Sequence, residues 1–206
     1  MQQQWQQAEQ RYLQAMKIFI EFNDRSKQAI TYLNLGEVAQ MRKQWQTAER
    51  YCQQALQISI RLNDRYNQAR IYGQLGIIAQ EQEQWQQAEQ YYQQAMQIFI
   101  QFNDFHQQAG TYNNLGKLAE DQQQWQQARD YFLKALELSA TYGYHYMIGL
   151  ISHNLAKLWK TSSDTGITAA VAAIMNEKIE EVEELFAELP DSPAETGNQS
   201  HSPGIR

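Results

Sequence analysis

The sequence has a single cysteine, Cys52, so neither an intrachain disulfide nor a thiolate metal cluster can be built from it. Proline is missing until Pro190, which leaves the chain before that point without its strongest helix breaker. No apolar run approaches the roughly 18 residues that a membrane helix needs. The opening MQQQWQQAEQ also lacks the basic-then-apolar layout of a secretory signal. The chain therefore reads as cytoplasmic, with no membrane partner. Charge is not segregated by sign: 17 basic and 23 acidic residues give a net charge of −6, mingled through most of the chain, with the acid excess near the C-terminus. Without a basic stripe to follow a phosphate backbone, nucleic acid is excluded as a direct partner. The strict alternation of apolar and polar residues that marks strands is missing as well.

A 40-residue period is present instead. Trp5, Trp45, Trp85 and Trp125 stand at that interval, and so do Ala8/48/88/128, the series Tyr12, Cys52, Tyr92 and Phe132, and Ala15/55/95/135. Asn-Asp pairs follow at Asn23-Asp24, Asn63-Asp64 and Asn103-Asp104, then Ala29/69/109, Tyr32/72/112, Leu35/75/115/155 and Gly36/76/116. Residues 5–44 and 85–124 are identical at 25 of 40 positions. A fixed period of this size signals a solenoid, in which each unit packs only on its neighbours. Interchangeable units make a scaffold or a surface, whereas a catalytic site needs one singular constellation.

Apolar residues at spacings of three and four predict helices over 3–22, 25–42, 45–62, 65–82, 85–102, 105–122, 125–142 and 145–160. At each Asn-Asp, the asparagine can adopt the left-handed conformation that closes one helix and the aspartate can cap the next. A second turn must precede each tryptophan, in segments such as MRKQ and EQEQ, although it carries neither Gly nor Pro. We term the Ala-Tyr-Leu-Gly helices A and the Trp-Ala-aromatic-Ala helices B.

The fourth copy decays: Gly143-Tyr144 replaces Asn-Asp, and Ala156 stands at the position of Gly36. Beyond it, with Ser163 or Asp164 as a cap, residues 165–189 read as one amphipathic helix. Ile167, Val171, Ile174, Met175, Val182, Leu185, Phe186 and Leu189 lie on one side and the glutamates largely elsewhere. It would cap the solenoid or bind a partner. Residues 190–206, rich in Pro, Ser, Gly and Asn, are expected to be disordered. At the other end the chain opens on a B helix with no A helix before it, so Ala8, Tyr12, Ala15 and Met16 lack part of their packing partner. That face could carry a homo-oligomer.

The unit Ala69, Tyr72, Leu75-Gly76, Ala79, Trp85, Ala88, Tyr92, Ala95 resembles the tetratricopeptide repeat, in the 40-residue variety of spindle-orientation adaptors, kinesin light chains and bacterial signalling proteins. The resemblance spans residues 3–160. It implies an all-α fold, a right-handed α-α superhelix. The chain is then organised as a solenoid over 1–160, a capping helix over 161–189 and a tail over 190–206. The resemblance further implies that the A helices line a concave groove that takes a peptide or protein.

At 100° per residue, Ala29, Tyr32, Leu35, Gly36 and Ala39 face the core. The opposite arc carries Ile30, Asn34, Glu37 and Met41 in the first A helix, and Arg70, Gln74, Ile77 and Glu81 in the second. It continues with Gly110, Asn114, Lys117 and Asp121, then Leu150, Asn154, Lys157 and Thr161. The carboxamide series Asn34, Gln74, Asn114, Asn154 could pair with the peptide units of a bound chain, since an amide side chain both donates and accepts. Leu33 and Glu37 stand where chaperone-binding repeats carry the Lys and Asn of a carboxylate clamp, so chaperone tails are not expected.

No enzymatic site is assembled. His145 and His153 are eight residues apart, roughly 12 Å along a helix, too far to share a metal. Glu120-Asp121 and Glu183-Glu184 read as solvated charge, and there is no phosphate loop or nucleophile elbow. The expectation is a non-catalytic protein-interaction scaffold without cofactor or metal. Two alternatives stand beside it: the sensor segment of a larger bacterial signalling NTPase or protease, and a self-associating structural module.

Overall fold

The computed structural model describes residues 2–190. Among them the chain is all helix and turn, without strands: α1 (Gln2–Glu21), α2 (Arg25–Met41), α3 (Trp45–Arg61), α4 (Arg65–Glu81), α5 (Trp85–Gln101), α6 (Phe105–Asp121), α7 (Trp125–Thr141), α8 (His145–Ser162), α9 (Gly166–Met175) and α10 (Ile179–Glu188). The first eight match the expected helices to within two residues. The expected disordered tail lies, apart from Pro190, outside the described residues. No helix among those described is long and apolar enough to cross a membrane.

The Asn-Asp turns work as their chemistry predicts. Asn23, Asn63 and Asn103 take φ of 50°, 54° and 52°. The carboxylates of Asp24, Asp64 and Asp104 accept the backbone N–H of Lys27, Asn67 and Gln107, each at 3.0 Å. Gly143 holds the left-handed position in the decayed copy, where no side chain caps α8. The turns before the tryptophans use the same backbone without the favoured residues: Lys43, Glu83 and Gln123 have φ of 57°, 58° and 59°. The N–H of Gln44, Gln84 and Gln124 then bonds back to the carbonyl of Ala39, Ala79 and Ala119 at 2.8–2.9 Å, closing each A helix.

Each helix packs on the next in sequence from α1 to α8. In addition α2, α4, α6 and α8 touch one another in turn, whereas α1, α3, α5 and α7 do not. The A helices therefore form the inner layer of the array and the B helices its outer layer. Small residues set the spacing: a Cβ added to Gly36, Gly76 or Gly116 would come within 2.8 Å of Cys52 Sγ, 2.5 Å of Tyr92 Cε1 or 2.5 Å of Phe132 Cδ1. Tyrosines of the A helices meet tyrosines of the B helices at ring separations of 6.1 Å (Tyr32–Tyr51), 6.2 Å (Tyr72–Tyr91) and 6.3 Å (Tyr112–Tyr131). A device not expected from the sequence recurs beneath them. Buried Gln28, Gln68 and Gln108 donate from Nε2 to the carbonyls of Phe19, Ser59 and Phe99, at 2.8, 3.1 and 3.2 Å. Each ties an A helix to the end of the preceding B helix.

The first B helix is under-packed. Ala8, Tyr12 and Ala15 are only half-buried, while their counterparts Ala48, Cys52 and Ala55 are each 0% exposed.

At the C-terminal end one expectation is corrected: residues 165–189 do not form a single helix. Asn176 adopts φ of 57° and ends α9, and the chain turns so that α10 packs on α8 and α9. A straight helix would have carried its second half beyond the solenoid. The reversal instead buries Val182 and Phe186, and the Phe186 ring lies 6.1 Å from that of Trp159. Leu185, expected on the buried side, remains half in water. The N-cap of α9 is Thr165 and not Ser163 or Asp164, and its side chain makes no capping bond; the carboxylate of the adjacent Asp164 accepts the N–H of Gly166 at 2.9 Å and pairs with Arg129 at 2.9 Å.

Candidate peptide-binding face

The inner faces of α2, α4 and α6 enclose a recess of about 240 Å³. It is lined by Leu33 and Glu37 of α2, Arg70, Gly73, Gln74 and Ile77 of α4, Phe99 of α5, and Gln107, Gly110, Thr111 and Asn114 of α6. Leu33 and Phe99 are each 2% exposed and belong to the floor. The polar groups stand higher on the helices because the A helices turn their Ala-Tyr-Leu-Gly face outward, toward the B layer. The opposite arc thereby faces away from the B layer.

Six of the residues singled out by the helical arc come together here: Glu37, Arg70, Gln74, Ile77, Gly110 and Asn114. The others do not join them. Ile30 and Asn34 are half-buried, Met41 sits exposed at the end of α2, and Glu81 is exposed. Lys117 is half-buried outside the recess. Asp121 accepts from Gln80 at 2.6 Å, and Lys157 pairs with Glu120 at 2.9 Å, so both tie one A helix to the next. Glu120 and Asp121 are thus engaged with neighbours and are not simply solvated charge.

The carboxamide series needs correction. Its four members are equivalent in sequence but not in space. Asn154 is buried and donates to Asn113 Oδ1 at 2.7 Å, which removes it from any groove. Gln74 donates to Gln40. Asn114 alone of the four both lines the recess and keeps a side chain without a hydrogen bond among the described residues. The helical wheel gave the direction of each side chain but not its depth, which depends on the side chains of the adjacent repeat.

Leu33, Gly73, Phe99, Gln107 and Thr111 were not placed in the groove by the wheel. The side chain of Gln107, like that of Asn114, has no hydrogen-bond partner among the described residues. Arg70 reaches only Asn67, at 3.5 Å, and forms no ion pair among them. Burial raises the carboxyl of Glu37 above its ordinary range, an effect that the charge of Arg70 partly opposes. The face thus offers apolar floor, two open carboxamides, one guanidinium and one carboxylate. That set can hold a polypeptide; it has no nucleophile paired with a base.

His153 and His145 share no site: His153 is buried in α8 and His145 is exposed at its start. No group of three metal-ligating side chains occurs among the described residues.

Family profiles described as tetratricopeptide repeat match residues 27–101 and 109–142. No curated protein matches the chain. Among solved structures it is similar to BtubC (BKLC) from P. vanneervenii, with a TM-score of 0.68 and 18% identity over 98% of this chain and 82% of that one. It is also similar to a Podosopora anserina chain described as a kinesin light chain with nearly identical TPR-like repeats, with a TM-score of 0.65 and 14% identity over 91% of this chain and 90% of that one. A third likeness is to the apo form of RapI, with a TM-score of 0.60 and 19% identity over 90% of this chain and 75% of that one. At these identities the likeness speaks to the fold.

Proposed function

Because the chain belongs to the tetratricopeptide repeat family, we propose that it is a non-catalytic scaffold that holds a peptide or an extended protein segment against the inner face of α2, α4 and α6. The observation that carries this is the recess itself. It combines buried apolar floor with the unpartnered carboxamides of Gln107 and Asn114, which can donate to and accept from peptide units without demanding a sequence. In this arrangement α9 and α10 serve as the terminal cap that a solenoid requires, covering α7 and α8.

The test is selection of a phage-displayed random peptide library on the chain, followed by measurement of the selected peptides against Gln107→Ala/Asn114→Ala. Both side chains are surface groups of intact helices, so helicity should be unchanged. Affinity is expected to fall at least tenfold. Equal affinity for both proteins would defeat the inner-face assignment.

The half-burial of Ala8, Tyr12 and Ala15 favours a second property, association of α1 with a helix of another copy. Light scattering across a range of concentration should then show mass rising with concentration, and Tyr12→Glu should abolish the rise. A constant monomer mass would argue against it.

A further inference from the structure

Two glycines shape the recess, and neither is explained by the fold. Gly73 lies within α4 and Gly110 within α6, both on ordinary helical backbone. A Cβ added at either would meet no atom within 4 Å. This sets them apart from Gly36, Gly76 and Gly116, whose bare α-carbons are required by the side chains packed against them. Glycine inside a helix weakens it; Gly149 shares this open space but stands exposed on α8, whereas Gly73 and Gly110 both line the recess.

The repeat register shows what has been removed. The position of Gly73 is held by Leu33, Asn113 and His153 in the other copies, and that of Gly110 by Ile30, Arg70 and Leu150. Gly73 and Gly110 lie on neighbouring A helices, and the recess opens between them. In the other copies Leu33, Asn113 and His153 are all buried, so this position, when filled, sends its side chain into the interior. The volume of about 240 Å³ exceeds the roughly 150 Å³ of an apolar cavity that admits a benzene ring. Arg70 and Glu37, both in the lining, carry opposite charges, so the recess has no net charge to favour a charged occupant.

We infer that the recess is a pocket for one aromatic side chain of a bound peptide, the ring entering the space left by Gly73 and Gly110 while flanking peptide units pair with Gln107 and Asn114. This rests on the scaffold role proposed above and adds a sequence preference to it.

The pocket can be tested with N-acetyltryptophanamide, which carries one aromatic ring between two peptide units, and N-acetylalaninamide as its counterpart without the ring. In ¹H–¹⁵N spectra of the full chain, the backbone amides of Gly73 and Gly110 should shift saturably with the first compound. The second should bind at least tenfold more weakly. Gly110→Leu, which restores the kind of side chain present at Leu150, should remain fully helical and lose the shifts; Gly73→Leu provides a second variant with the same expectation. Equal response to the two compounds, or shifts retained in both folded variants, would overturn the pocket. The displayed peptides separate this from the broader proposal. If the selected peptides lack an aromatic residue and bind the chain and Gly110→Leu equally well, the pocket fails and the scaffold stands. If they carry an aromatic residue and lose affinity in Gly110→Leu, both stand.

Discussion

The ring of Tyr92 occupies the space where a side chain on Gly76 would stand. A Cβ there would lie 2.5 Å from Cε1 and 2.6 Å from Cδ1 of a ring that is itself 1% exposed and held by a 2.8 Å hydrogen bond from its hydroxyl to Gln80. The ring cannot give way cheaply. Gly76→Ala is therefore expected to destabilise the chain by about 2 kcal/mol, within the range of overpacked cores, as read from the midpoint of urea unfolding.

The same substitution three residues earlier should have the opposite sign. Gly73 has open space above its α-carbon, so Gly73→Ala meets no resistance and relieves the helix of glycine's entropic cost. A gain of about 0.5–1 kcal/mol is expected. Parallel denaturation of the two variants checks the contrast, since both exchange the same atoms in one helix.

Cys52 should be inert at neutral pH and should make the fold sensitive to alkali. Burial first, and then the charges of Glu37 and Glu49, push its thiol from an ordinary 9.0 up to about 12. A thiol whose folded value is raised stays protonated in the native state while the unfolded chain ionises. Its contribution is thus fully present below pH 9 and declines as pH rises toward 12, by at most about 1.4 kcal/mol per pH unit. Unfolding free energies measured between pH 8 and pH 11 should fall more steeply for the wild-type chain than for Cys52→Ala, and native thiol labelling at pH 7 should require unfolding.

Much of the architecture was legible because the repeat supplies its own alignment. Asn23, Asn63 and Asn103 mark one set of turns by residue type, and the spacing of Tyr72, Leu75 and Gly76 fixes which face of α4 is buried. The turns at Lys43, Glu83 and Gln123 carry no such chemical mark; only packing on both sides holds those residues left-handed. Asn176 did carry one, being an asparagine at the end of an apolar run, but the amphipathic pattern continues past it in nearly the same phase and masks the break. The site was legible in direction and not in depth. Asn114 and Asn154 are the same residue in the same register, yet one is open and the other sealed against Asn113, because the neighbouring copy offers different side chains. The most informative sign, bare helical glycine at Gly73 and Gly110, could have been read from the register alone.

His153 stands at the register position of Leu33, buried in α8, with Nε2 lacking a hydrogen-bond partner among the described residues. An unpaired buried nitrogen costs about 1–3 kcal/mol. His153→Leu, which installs the side chain that the first copy buries at this position, should stabilise the chain by about 1 kcal/mol, measured as a rise in the urea midpoint with an unchanged slope.

Gln123 offers a test of how the unmarked turns are held. Its φ of 59° is a conformation that disfavours any residue with a Cβ, by roughly 1–2 kcal/mol. Glycine removes that penalty but also loosens the unfolded chain, which offsets about half of the gain. Gln123→Gly should therefore be more stable by about 0.5–1 kcal/mol. The adjacent Gln122 has φ of −87° and donates from Nε2 to the carbonyl of Leu118 at 3.2 Å. At that position glycine relieves no strain and forfeits a hydrogen bond, so Gln122→Gly should lower stability by about 1 kcal/mol. Thermal unfolding of the pair reads the difference directly. Opposite signs at neighbouring positions would show that the turn is imposed on Gln123 by the packing of α6 against α7, and equal signs would show that glycine acts there only through chain flexibility.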